Sequence, residues 1–392
     1  MEENRNANAG QIQTESGQNG TAGRNEPKRV RDLNADLIRC VAVYSVTSVH
    51  FLLNSGFYGV PVSGADMWIM CMVRSLFMCC VPLFMILTGY LMQHKTLSGR
   101  YYRGLVKTLE IYVLASIACL LFKKFVQGQE VTLLSGILDI LDFDAANYAW
   151  YIEMYIGLFL IIPFLNLIWR GLGTKREKRV LVVTMLALTL LPKLLNNFDF
   201  RTEGWWASPS ISEKYDPLVP GFFTTMYPIT YYFIGAYWKE YGWRMGKART
   251  LLLLLLAVVL FGSYNYWRSD GGNFVWASNS TWGGENLITA TLLFGLLLQM
   301  KPKRWPRMVQ SWLVYLSGIS LGLYLVSWIF DRIVYDGIFK PAVTDVHARW
   351  PWYFVVVPAV FFGAAGCSAL LYEIRDLAYR IAHLICRKKQ AA

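Results

Sequence analysis

The sequence predicts an all-α polytopic membrane protein of about ten transmembrane helices with both termini cytoplasmic. Three observations carry this. Apolar residues make up 55% of the 392 and charged residues only 16%. Apolar segments of helix length recur along the chain, near the roughly 20 residues that a bilayer crossing needs. Lys and Arg gather on alternate connections, as the positive-inside rule requires.

Residues 1–28 are rich in Asn, Gln, Gly, Glu, Ser and Thr. They are expected to form a disordered cytoplasmic tail, not a signal peptide, because no apolar run follows Met1. A ten-helix membrane domain is expected over 29–380 and a basic cytoplasmic tail over 381–392. The spans fall near 37–56, 68–92, 104–122, 148–168, 180–195, 221–238, 250–267, 285–299, 308–330 and 352–374. Several are shorter than a straight crossing prefers, and the fifth is interrupted by Pro192.

With the N-terminus inside, and with Lys107 and Lys193 counted at the ends of their spans, the cytoplasmic segments from Arg24 onward hold 26 Lys and Arg and the five outer loops hold nine. That bias also accounts for the net charge of +12, so no nucleic-acid partner is expected. Trp, Tyr and Phe reach 15%, in keeping with aromatic belts at two interfaces. The outer loop 199–220 carries Trp205, Trp206 and Tyr215, which suit either sugar stacking or interface anchoring. The seven cysteines lie mostly in apolar stretches without ligand spacing, so core filling is expected and no metal site.

Arg39 and His50 stand out within the first span. An ionisable residue at membrane depth is costly and is usually kept for a task. Eleven residues advance a helix by about 16.5 Å and return it close to the starting face. The Arg should therefore sit near the inner end and the His on the same face in the outer half. A long substrate entering from one side would be held by the cation and met by a base.

Arg74, Trp150, Tyr151 and Glu153 join His50 in an outer polar layer, while Arg103, Lys107 and Glu110 join Arg39 in an inner one. Plainer roles fit the same residues. His50 can make an interhelical hydrogen bond, Arg39 can snorkel, and Arg74 can pair with Glu153.

The motifs resemble the acyltransferase 3 family of integral membrane acyltransferases, which includes polysaccharide O-acetyltransferases of bacteria. The resemblance runs from about residue 31 through almost the whole chain. Its sharpest element is Arg-x10-His, Arg39 to His50, within RDLNADLIRCVAVYSVTSVH. VPLFMILTGYLM at 81–92, AWYIEMYIGLFLIIPFLN at 149–166, YYFIGAYWKE at 231–240 and SLGLYLVSWIF at 320–330 follow in order. The chain departs from the family pattern at Ala149 and Ser327, where His is frequent, and at Thr88, where Ser is.

The resemblance implies transfer of an acyl group, most simply acetyl, from acetyl-CoA or another acyl-CoA. The acceptor would be a hydroxyl of a cell-envelope glycan or lipid-linked sugar, with no metal. Arg39 would meet the coenzyme, with Arg103 and Lys107 beside it. His50 would act as base and Glu153 would orient it, while Arg74, Tyr151 or an amide near Gly89 would stabilise the oxyanion. The alternative is a small-solute carrier without acyl chemistry, because related membrane domains attached to some serine racemases are linked to amino-acid uptake.

Overall fold

The computed structural model describes residues 31–276 and 282–391, with side chains through residue 387. The tail expected over 1–28 lies outside the described residues. Beyond it the chain is helical, and among the described residues only an isolated bridge between Val62 and Asp270 adds strand-like pairing.

The first span is α1 (Leu33–Asn54). It ends where Asn54 Nδ2 turns back onto the His50 carbonyl at 2.9 Å and Gly56 takes a left-handed φ of 85°. The second expected span is two helices, α2 (Gly64–Phe77) and α3 (Cys80–Met92). Pro82 has no N–H to give the carbonyl four residues back, and the break falls at that point, at 78–79. Ser98 caps α4 (Gly99–Phe125) by accepting from the Tyr101 amide at 3.2 Å. The short amphipathic α5 (Leu133–Leu141) opens on a Thr132–Ser135 capping box.

Next come α6 (Trp150–Gly171), α7 (Lys175–Thr189), opened by a Thr174–Glu177 capping box, and α8 (Leu191–Leu195). After a long loop follow α9 (Tyr227–Tyr241), α10 (Lys247–Ser269) and α11 (Glu285–Leu298). The chain ends with α12 (Arg307–Asp331), a π-helical stretch over Arg332–Phe339, the one-turn α13 (Lys340–Ala342) and the 39-residue α14 (Tyr353–Ala391).

Among the described residues, seven segments are long and apolar enough to cross a membrane, beginning at Leu33, Gly64, Gly99, Trp150, Lys247, Arg307 and His347. The other three expected spans correspond to α7 with α8, α9 and α11, at 15, 15 and 14 residues for the main helices. Leu251, Leu252, Leu255, Leu256 and Leu260 of α10 are all exposed. A contiguous apolar face of that size suits contact with lipid and not with water.

The core centres on α1, which packs against α3, α11, α12 and α14. Ile38, Ala42 and Val43 of α1 are fully buried with Leu83 and Ile86 of α3 and Leu323 and Leu325 of α12. Helices α3 and α9 touch backbone to backbone. A methyl on Gly89 would lie 1.9 Å from the Tyr232 carbonyl oxygen, and one on Gly235 would lie 1.9 Å from that of Ile86. Gly89 therefore has a packing role, the small-residue contact that lets membrane helices approach. Cys79, Cys80 and Cys119 are buried thiols of this core, and Cys71 is buried in a separate cluster.

Candidate functional site

Two cavities lie along one face of α1. The first, about 230 Å³, is lined by Arg39 and Val46 with Leu87, Thr88 and Leu91 of α3, Tyr151 and Tyr155 of α6, and Tyr324 of α12. The second, about 260 Å³, takes Val46, Val49, His50 and Leu53 from α1 with Tyr58, Tyr148, Trp150, Trp276, Trp282 and Tyr324. Val46, Val81 and Tyr324 line both. These three side chains form a collar between an Arg39 chamber and a His50 chamber. A larger apolar cavity of about 700 Å³, among α7, α9, α10 and α11, contains neither residue.

Arg39 is held by groups the sequence reading did not single out. Its Nη1 donates to Ser317 Oγ at 2.6 Å, and that hydroxyl donates to Asp36 Oδ1 at 2.7 Å. Asp36 Oδ1 also lies 3.5 Å from Arg39 Nη1. The arginine remains 29% exposed, so it is fixed in direction yet open to a ligand. Arg103 and Lys107 are exposed on α4 and line neither chamber. Thr108 is the α4 residue that reaches the Arg39 chamber.

His50 sits beside Asp331, the last residue of α12. Nδ1 is 3.2 Å from Asp331 Oδ2, although the pair is not aligned as a hydrogen bond. Catalytic hydrogen bonds are often loose until substrate binds. The carboxylate is fully buried and accepts from Tyr148 Oη at 2.7 Å. Its Oδ1, like His50 Nδ1, has no hydrogen-bond partner among the described residues, so the pair has polar capacity left to engage a substrate. The Tyr148 ring lies 3.9 Å from the imidazole, centroid to centroid. Tyr324 of the collar donates its hydroxyl to the Tyr148 carbonyl, which ties the collar to the His50–Asp331 pair.

Several expected positions are corrected. Glu153 is exposed in the first turn of α6, and the place beside His50 belongs to Asp331. Arg74 does not pair with Glu153 either. It is buried with Glu285 of α11, Nη1 to Oε1 at 3.1 Å, each side chain only 1% exposed. Asn265 donates to the other Glu285 oxygen at 2.8 Å, and Phe274 and Trp276 cover the guanidinium at 4.5 and 5.2 Å. Arg74 reaches the His50 chamber through Trp276 and through Tyr58, whose hydroxyl accepts from its Nε at 3.2 Å. Tyr151 lines the Arg39 chamber and meets Tyr324 edge to face at 6.0 Å.

Asp331 was missed because it pairs across 281 positions of chain. One signal was available: it is the first charged residue after the uncharged run 308–330. A π-helical turn follows it at once, a departure often found at functional sites. At the departures from the family motifs, Ala149 is a buried residue at the start of α6, Ser327 donates to the Tyr324 carbonyl at 2.8 Å, and Thr88 donates to the Phe84 carbonyl at 2.8 Å.

A rigid arginine in one chamber and a buried imidazole–carboxylate pair in the next can hold an extended anionic substrate and move a proton at its far end. Comparison with curated proteins and with solved structures returned no match. A family model described as an acyltransferase domain matches residues 32–372. With nearly the whole membrane region inside that match, the chain belongs to the acyltransferase 3 family, as an enzyme acting as a membrane acyltransferase.

Proposed function

We propose that the protein transfers an acyl group, acetyl in the simplest case, from acyl-CoA to a hydroxyl of a glycan or lipid-linked sugar at the cell membrane. The observation that carries this reading is the pair of chambers joined at the Val46–Val81–Tyr324 collar, with Arg39 in one and His50 in the other. The alternate clustering of Lys and Arg favours ten crossings, with α2 and α3 sharing one. Both termini and the Arg39 chamber then face the cytoplasm.

In the reaction, coenzyme A phosphates meet Arg39, whose guanidinium fork suits phosphate oxygens. The pantetheine arm extends toward the collar along the rise of about 16.5 Å between Arg39 and His50. His50 Nδ1–H faces Asp331, which leaves Nε2 to take the proton from the acceptor hydroxyl. The hydroxyl oxygen attacks the thioester carbonyl, the tetrahedral intermediate collapses, and the C–S bond breaks. The departing thiolate receives the proton from His50, so each turnover releases an ester and free coenzyme A thiol.

Asp331 orients the imidazole and stabilises its charged form, and Tyr148 orients Asp331. Tyr58 is the favoured oxyanion donor. Its oxygen already accepts from Arg74, which leaves its own proton for the substrate. The acceptor side is walled by flat aromatics. Tyr58 and Trp276 stack at 4.7 Å, and Trp150 and Trp282 stack at 5.5 Å with 12° between planes. Such faces suit a sugar ring.

The test is acyl transfer by purified protein in nanodiscs, given radiolabelled acetyl-CoA and an envelope extract. Turnover with label in a saccharide acceptor, lost in His50→Ala, is the expected result. Folded wild type that neither binds coenzyme A nor turns it over, yet carries a small solute into proteoliposomes, would replace this reading with transport.

A further inference from the structure

Helix α14 continues as one helix to Ala391, beyond the family match that ends at residue 372. At 1.5 Å per residue its 39 residues span about 58 Å against a hydrocarbon core of roughly 30 Å. Residues 373–391 therefore project past the membrane and do not lie along its surface. A regular apolar stripe enters this segment from the turn before it. Leu370, Ile374, Leu377, Ile381 and Leu384 alternate spacings of four and three, and each is 45 to 60% exposed.

In heptad terms Ile374 and Ile381 stand at a, and Leu370, Leu377 and Leu384 at d. Ile at a with Leu at d is the choice that favours two parallel strands. The opposite face is already used within the protomer. Tyr372, at f, packs on the core cluster, and Tyr379, one heptad later, donates its hydroxyl to Glu110 of α4. That attachment turns the stripe outward. The g positions are Glu373, Arg380 and Arg387, while the e positions Ala378 and Ile385 are uncharged. In a parallel pair g faces e of the partner, so the arginines meet no like charge and their stems cover the seam.

We infer that α14 pairs with α14 of a second copy of this chain, forming a parallel two-stranded coiled coil beneath a homodimer. Two copies inserted in one membrane with the same topology present these helices parallel, as the a and d pattern requires. The pairing stands on the helix alone and does not depend on the acyl chemistry.

Full-length protein in proteoliposomes tests it, in a Cys386→Ser background. Single Ile381→Cys and Leu384→Cys variants should oxidise to a species of twice the mass, because a and d side chains meet their counterparts within disulfide reach. His383→Cys, at c on the outer face, should not. In nanodiscs, wild type should have the mass of a dimer. The double variant Ile381→Glu, Leu384→Glu should be a monomer with unchanged thermal stability of the membrane domain. Monomeric wild type, cross-linking at 383 as efficient as at 381, or a dimer that survives the double glutamate variant would each overturn the inference.

Discussion

The two ends of α1 face chambers of similar size and different chemistry. The Arg39 chamber mixes aliphatic residues such as Leu87, Leu91 and Leu321 with Tyr151 and Tyr155, and holds one charged group. The His50 chamber is walled by Trp150, Trp276, Trp282 and Tyr58, and its histidine backs onto a buried carboxylate. On the proposed reading the first holds and guides an extended anion and the second positions a proton acceptor beside flat surfaces. One helix with two polar residues eleven apart would then separate binding from chemistry, with the collar at the border.

The contrast can be broken most severely where helices α3 and α9 meet. Gly235→Ala drives a methyl into the Ile86 carbonyl. Its cost should exceed the roughly 1–3 kcal/mol of ordinary overpacking and prevent correct folding, because the obstacle is backbone and not a side chain. Loss of the monodisperse peak on size-exclusion chromatography or a lowered melting temperature checks this. Glu285→Ala comes next. It strands the Arg74 guanidinium in the protein, a change that costs about 3–5 kcal/mol for a buried pair. The same melting measurement should show a large drop, and Glu153→Ala, at an exposed position, almost none.

The collar sets a finer distinction. Val81→Ala should ease passage of longer acyl chains, shifting the ratio of hexanoyl to acetyl turnover by on the order of tenfold, the usual worth of a methylene-sized pocket change. Tyr324→Phe keeps the ring and removes the bond to the Tyr148 carbonyl. It should lower turnover with every donor alike.

The smallest effect lies in the loop between α8 and α9. Hydrogen bonds, first from the Thr202 hydroxyl and then from the Thr202 and Arg201 amides and Ser212, hold the Asp199 carboxyl down at about 2. A depressed carboxylate stabilises the folded loop above its unfolded value of about 3.9, and that contribution is lost as pH falls through the folded value. Trp205 packs at this loop, so Trp fluorescence should hold steady down to about pH 4 and change between there and about 2. Asp199→Ala should remove that acid step.

Much of this architecture was legible in the sequence. The apolar spans correspond in order to described helices, and the period of α1 placed Arg39 and His50 on one face, as the shared lining of Val46 bears out. Gly89, which the resemblance offered beside an oxyanion donor, serves the close approach of α3 to α9. What could not be read was pairing between distant spans. Shared depth in the outer layer suggested Glu153 for His50 and for Arg74, but packing of α1 on α12 and of α2 near α11 delivers Asp331 and Glu285 instead. The break at 78–79 was signalled by Pro82, and α5 by its Thr132 cap. Both lay in plain view but outside a reading based on span length.

The most direct test of the divided chambers is steady-state kinetics of acetyl-CoA turnover for Arg39→Ala and His50→Ala in nanodiscs. Arg39→Ala should raise the KM for acetyl-CoA and leave kcat largely intact, since it removes ground-state binding. His50→Ala should lower kcat by about 10² to 10⁴-fold with KM little changed, the usual worth of a general base. If both variants lowered kcat equally with KM unchanged, or if His50→Ala retained full turnover, the separation of binding from chemistry along α1 would be contradicted.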